Sequence, residues 1–191
     1  MRRQAECLLA DWIRKSRRKP LVIRGARQVG KSTLVRQFSQ TSKWHLNEVN
    51  LEKHLYLDDV FNTLNIDIIC KEIEGIVGRG IRSADSILFL DEIQATPNAL
   101  QALRYFYEEM PEVPVIAAGS LLEFVLSRHH FSMPVGRIEY LHLGPMTFEE
   151  FLQEIEGHLV DYLTEFDFNH DIPDSVERKL VERQREYLLT G

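Results

Sequence analysis

The sequence predicts an α/β fold, a three-layer sandwich whose five-stranded, mostly parallel sheet lies between helices. Three observations predict it. Short apolar, β-rich runs recur near residues 21–25, 45–51, 86–92, 114–119 and 137–143. Helical periodicities lie between them, and strand–helix alternation belongs to a parallel sheet covered on both faces. The third run, "SILFLDEI", has four successive apolar residues, Ile87 to Leu90, which suits a strand buried on both faces.

The opening "MRRQAECLLADWIRKSRRK" has the pattern of an amphipathic helix. Glu6 and Asp11 break its apolar run, so it is no secretory signal. "LVIRG" (21–25) is the first strand, and "KSTLVRQFSQ" (31–40) places Leu34, Val35 and Phe38 on one helical stripe. "IDIICKEIEGIVGRG" (66–80) reads as a helix ending at glycines. "TPNALQALRYFYEEM" (96–110) reads as a helix with Thr96 as N-cap and Pro97 at its first position. Its apolar face is Leu100, Leu103, Phe106 and Met110. In "TFEEFLQEIEGHL" (147–159), Thr147 and Glu150 form a capping box ahead of the stripe Phe148, Phe151, Leu152, Ile155 and Leu159. "DSVERKLVERQREYLLTG" (174–191) is helical and ends on an apolar run without an evident partner, as if more protein should follow; the alternative is a helix that docks back on the core.

Between the first strand and its helix lies "GARQVGKS", which fits G-x-x-x-x-G-K-[ST] over Gly25, Ala26, Arg27, Gln28, Val29, Gly30, Lys31 and Ser32. A phosphate chain needs several donors at once. Glycines let the backbone curl so that successive N–H groups point inward, and the following helix adds its free N–H groups and the positive end of its dipole. Lys31 would reach the β- and γ-phosphates and the Ser32 hydroxyl would ligate Mg²⁺; Thr33 completes the candidate nucleotide-binding set. An ordinary glycine-rich turn is the alternative. The apolar strand before the loop and the helix after it favour phosphate.

Asp91 and Glu92 follow the buried run 87–90. Beside a phosphate loop, Asp91 would complete the Mg²⁺ shell next to Ser32, and Glu92 would orient or deprotonate the attacking water. Adjacent residues on a strand point to opposite sides, which would separate the two tasks. A solvated strand end is the plainer alternative. The run "PVIAAGS" (114–120) ends on Ser120, which has two readings: a polar sensor of the γ-phosphate or water, and the N-cap of "LLEFVLS", where Glu123 would complete a capping box. Transition-state charge on the γ-phosphoryl needs a cation. Arg27, Arg128 and Arg137 are the candidates, Arg137 first; a finger supplied to another copy would require a homo-oligomer. Trp12 would either stack on adenine or face the core. His129 and His130 lack metal-ligand companions.

The chain has 191 residues, 44% hydrophobic and 27% charged, enough for a proper core. Its net charge of −6 is uneven, with seven Lys/Arg in residues 1–20 and twelve Asp/Glu against four Lys/Arg in residues 145–191. The basic start would touch nucleic acid or form a solvated helix face; the acidic end argues against a nucleic-acid groove there. Cys7 and Cys70 have no metal or redox spacing and are expected to be reduced thiols. No apolar stretch is long enough for a membrane helix, so the expected location is cytoplasmic.

Four stretches together, "VIRGARQVGKSTL", "ILFLDEIQ", "VIAAGSLLEFVL" and "GRIEYLHLGPMTFEEFL", resemble the AAA-type P-loop ATPase domain of a large bacterial and archaeal family. Its members usually carry a second, C-terminal domain of unknown function. The last stretch is the most specific of the four. The resemblance covers most of residues 1–155 and implies a P-loop NTPase, AAA-like sheet with the phosphate-loop strand central. It makes Gly25 to Ser32 Walker A, Asp91 and Glu92 Walker B, and Ser120 the first sensor. It also implies an ATPase domain over residues 1–160, with 161–191 a helical extension that begins a missing second domain.

Three functions are in competition. The first is Mg²⁺-dependent ATP hydrolysis that drives a conformational change, with Glu92, Lys31, Ser120 and Arg137 catalytic and Ser32 and Asp91 holding the metal. The second is a slow ATP-dependent switch that regulates a C-terminal or partner domain. The third is a small-molecule kinase, for which "GRGIRSAD" (78–85) is a weak candidate lid and against which Asp91–Glu92 counts.

Overall fold

A computed structural model describes residues 3–120, 136–167 and 169–190. Its strands are Leu21–Arg24 (β1), His45–Asn50 (β2), Ser86–Asp91 (β3), Val115–Gly119 (β4) and Glu139–His142 (β5). They form one sheet in the order β2-β3-β4-β1-β5, and every pairing is parallel. β1 is an interior strand, between β4 and β5, while the middle position belongs to β4. Strand ends that sequence pattern places at residues 25 and 92 fall one residue earlier, because Gly25 and Glu92 turn out of the sheet.

The helices are Ala5–Ile13 (α1), Lys31–Ser42 (α2), Leu57–Asn62 (α3), Ile66–Val77 (α4), Pro97–Glu109 (α5), Phe148–Glu165 (α6) and Asp174–Thr190 (α7). One face of the sheet presents Val22, Leu88, Leu90, Val115 and Ala117 to a core filled from α3, α4 and α5 by Phe61, Ile69, Ile73, Leu103 and Phe106. The alternate strand residues Ile23, Phe89, Ile116 and Ala118 are also fully buried, as are Leu34 and Val35 of α2. Both faces are therefore covered, which is why β3 reads as an unbroken apolar run.

α4 begins at Asn65, whose side chain accepts from Ile68 N–H, and ends at Gly78 in the left-handed conformation that glycine adopts without strain. α5 has Pro97 at its first position as expected, but Thr96 makes no side-chain cap bond. Asp58 of α3 supplies the cap instead, accepting from Asn98 N–H at 3.0 Å and from Asn98 Nδ2 at 2.9 Å. α3 itself is a helix that the sequence reading does not contain.

The chain divides into two compact units, residues 7–144 and residues 3–6 with 145–190. In the second, Thr147 and Glu150 form the expected capping box on α6. Glu150 also accepts from Gln4 N–H at 2.8 Å and from Arg3 Nε at 3.0 Å. Burial alone would push its carboxyl up, but these donors and Thr147 N–H bring it below the usual range. Leu152, Leu159 and Val160 of α6 pack with Val176 and Leu180 of α7, and the Tyr187 ring lies tilted against Phe148 and Phe151 while its hydroxyl donates to Met146 O at 2.6 Å. α7 therefore docks on α6, while Leu188 and Leu189 at its end stay exposed.

Candidate functional site

Strand register brings the carboxyl ends of β1, β3 and β4 level. Arg24 lies opposite Gly119, and Asp91 opposite Ala118. Ligands of open parallel sheets bind beyond these ends. Here the chain leaves β1 through Gly25, where a Cβ would overlap the Leu143 carbonyl oxygen, so only glycine fits. Leu143 N–H donates to Arg24 O at 2.8 Å and fixes that approach. Gln28 (φ 67°) and Gly30 (φ 91°) are left-handed, and the loop between them and Gly25 presents exposed Ala26, Arg27 and Gln28.

Lys31 is only 8% exposed. It does not face solvent, as a free ligand would, but folds under its own loop, with Nζ donating to Gly25 O at 3.0 Å and to Ala26 O at 2.7 Å. Burial lowers its pKa, opposed by the nearby negative charges of Glu92 and Asp91. Ser32 Oγ lies 2.8 and 3.0 Å from the two carboxylate oxygens of Asp91. Asp91 is 5% exposed, and burial pushes its carboxyl up. The Ser32 hydroxyl opposes the shift, Glu92 adds to it, the Glu92 N–H opposes it, and Glu48 adds a smaller push. One turn beyond Ser32 on α2, Arg36 grips Glu48 of β2 with two bonds of 2.9 and 2.5 Å. One helix face thus docks on acids from two neighbouring strands.

Residues 17–152, more than two thirds of the chain, match the AAA domain family. The chain belongs to that family. Membership suggests nucleotide-binding ATPase activity, and the all-parallel sheet with flanking helices agrees with a P-loop NTPase fold. No match is found among curated proteins. Among the described residues no helix of this AAA domain protein is long and apolar enough to cross a membrane.

Glu92 departs from the strand geometry expected of it. It lies outside β3 in the left-handed conformation (φ 54°, ψ 46°), as the residue before a 3-10 turn over Ile93–Ala95. A backbone turn, not strand alternation, therefore parts it from Asp91. Its N–H donates to Asp91 Oδ1 at 3.1 Å, and its Oε2 accepts from Gln94 Nε2 at 2.5 Å. Gln94 stands two residues beyond Glu92, after Ile93, and no spacing rule marks it out.

Ser120 follows β4 at the same carboxyl edge as the loop, and its hydroxyl has no hydrogen-bond partner among the described residues. Its N-cap alternative rests on Glu123, which lies outside the described residues, as do Arg128, His129 and His130. Arg137 stands apart from the loop. It precedes β5, whose first residue pairs with Leu21 at the amino end of β1. There its Nε donates to Glu108 Oε1 at 2.8 Å, beside Arg104. The length of β1, about 10 Å, lies between that end of the sheet and Gly25. The arginines of "GRGIRSAD" are also engaged elsewhere, Arg82 with Asp67 at 2.5 Å and Arg79 with Asn47 and Leu46 O at 2.5 Å. Trp12 is 2% exposed in the core and donates to Lys19 O, which settles it as a packing residue. Much of the basic start is likewise spent internally. Arg18 donates to the carbonyls of Ile13 and Glu112, and Lys15 pairs with Glu139 at 2.5 Å. Cys70 is buried, which pushes its thiol up to about 11.

Proposed function

We propose that the site binds ATP with Mg²⁺ and hydrolyses it, with residues 25–32 as Walker A and Asp91–Glu92 as Walker B, and that turnover drives a conformational change passed to the helical unit or to a partner domain. The contact between Ser32 Oγ and both oxygens of buried Asp91 carries this reading. It is a pair of hard oxygen donors in the arrangement that suits a small divalent cation sharing its remaining positions with phosphate and water. A buried carboxyl whose protonation is favoured by burial has a use for such a cation. Mg²⁺ held there by Ser32 and Asp91 would neutralise charge on the β- and γ-phosphates.

Gly25 to Gly30 and Thr33 would offer backbone N–H groups to the phosphates. Lys31 would exchange the two loop carbonyls for phosphate oxygens, an exchange that trades neutral acceptors for charged ones. Glu92 would take a proton from the attacking water as general base, and Ser120 would donate to the γ-phosphate from the end of β4. The position of Arg137 favours a second reading alongside the first. A single copy would bind ATP and turn over slowly, as a switch, until a neighbouring copy of a homo-oligomer offers its Arg137 to the γ-phosphate. Phosphate transfer to a small molecule is disfavoured, because Arg79 and Arg82 are held by Asn47 and Asp67.

Steady-state phosphate release from Mg-ATP tests the proposal. The parent is expected to show release that disappears with EDTA and in Lys31→Ala, with specific activity rising with protein concentration. Equal release by parent and Lys31→Ala would contradict it.

A further inference from the structure

Gln94 lies in the turn that follows Glu92 and gives its amide nitrogen to Glu92 Oε2. A carboxylate only accepts, so the amide must turn its nitrogen toward Glu92 and its oxygen away. That oxygen, Gln94 Oε1, is buried and has no hydrogen-bond partner among the described residues. Leaving it there costs the desolvation of an unpaired acceptor. The left-handed backbone of Glu92 is a second local cost, unusual for a residue with a long side chain. Backbone bonds from Ala95 N–H to Glu92 O (2.9 Å) and from Thr96 N–H to Ile93 O (3.1 Å) hold the turn in place. Two unfavourable features thus meet on one carboxylate, and neither adds to the core. The other oxygen, Glu92 Oε1, has no hydrogen-bond partner among the described residues.

We propose that Gln94 is a positioning residue for hydrolysis: it ties Glu92 Oε2 so that Oε1 is the oxygen presented to the attacking water. This rests on the reading of Glu92 as general base. In the step itself the water oxygen bonds to the γ-phosphorus as its O–H breaks, and the proton passes to Glu92 Oε1. The bond between the γ-phosphorus and the bridging oxygen breaks, its electron pair leaving with ADP. Gln94 exchanges no proton. A neutral amide suits the task, because it fixes a rotamer without setting a full positive charge against the base, as Lys or Arg would.

The test uses the full chain with Gln94→Leu, which removes both polar atoms at similar volume, and Gln94→Ala as a second variant. The thermal midpoint is expected to stay level or rise in Gln94→Leu, since the unpaired oxygen is gone. The KM for ATP should stay within about twofold while kcat falls on the order of 10- to 100-fold, the scale of a misplaced catalytic group. Binding supplies a readout apart from turnover. Affinity for Mg-ADP with aluminium fluoride, which mimics the transition state, should weaken in Gln94→Leu, and affinity for Mg-ADP with beryllium fluoride should not. In a Glu92→Gln background the Gln94 change should add little, because both act on one water. Parental kcat in both Gln94 variants, or a fall in kcat matched by equal losses in midpoint and KM, overturns the proposal. If Glu92→Gln alone keeps parental turnover, the general-base reading has failed and the proposal falls with it. If Glu92→Gln is slow and Gln94→Leu is not, only the role of Gln94 is lost.

Discussion

The two ends of the parallel sheet treat charge in opposite ways. At the amino end, opposite charges pair within the protein. Glu108 is shared by Arg137 and Arg104, and Lys15 is paired with Glu139. At the carboxyl end, the negative charges of Glu92 and Asp91 act on the Lys31 ammonium, and Glu92 adds to the upward push on Asp91, yet the hydrogen bonds of these three side chains go to neutral groups: a hydroxyl, an amide and two carbonyls. Among the described residues no ion pair joins Lys31 to either acid. The difference separates structure from function. On the proposed reading, the buried charge at the carboxyl end is what a phosphate chain and a cation would complete.

The comparison breaks most easily at Lys31. If the loop awaits phosphate, Lys31→Ala should weaken ATP binding on the order of 10²-fold or more, the scale of losing one partner of a desolvated charged contact. Calorimetric titration of the folded variant checks this, and an affinity within twofold of the parent would remove the distinction between the ends.

The pH dependence of stability sharpens it, because the two ends should differ in sign. Burial raises the Asp91 carboxyl above its unfolded value, so the folded state binds that proton more tightly. Ionised Asp91 therefore costs stability at neutral pH, and the cost fades as pH falls through the raised value toward the ordinary aspartate range. Asp91→Asn should melt above the parent at pH 7, with the gap closing in acid, while Mg²⁺-dependent nucleotide binding weakens. Glu108 runs the other way. Arg137 and Arg104 hold its carboxyl below the usual range, so its contribution is present above the unfolded value and is lost as pH falls through the lowered one. Glu108→Gln should melt slightly below the parent at pH 7, by a small margin because the pairs are exposed and screened by solvent. Melting curves of both variants across pH decide between opposite and like signs. The smallest effect belongs to Arg137→Ala, which should leave the ATP affinity of a single copy unchanged; a clear loss would place Arg137 beside the loop of its own chain.

The sheet and the meeting of Ser32 with Asp91 were legible because both rest on local pattern. β3 announces itself by four apolar residues, and the loop by the spacing of Gly25, Gly30, Lys31 and Ser32. The illegible parts depend on partners distant in sequence or on backbone choice. Thr96 looks like the cap of α5, yet Asp58, forty residues away, does the capping. Lys31 is marked by its place after Gly30, but only the fold shows that its Nζ is turned onto the loop carbonyls. The strand appears to run through Glu92, but a left-handed turn ends it one residue earlier and hands the Glu92 side chain to Gln94. Arg137 has the right residue type for a finger, and only strand register reveals which end of the sheet it occupies.

The central claim, that this end of the sheet hydrolyses ATP with Glu92 as base, is tested most directly by Glu92→Gln on the full chain, with ATP affinity and phosphate release measured on the same sample. The substitution keeps shape and removes the basic oxygen. General-base contributions run at about 10²–10⁴-fold, and release should fall by that order. Affinity should hold or tighten, because Lys31, Ser32 and Asp91 remain and one negative charge has left the neighbourhood of the γ-phosphate. Release by Glu92→Gln at the parental rate, under conditions where Lys31→Ala releases none, would contradict the account.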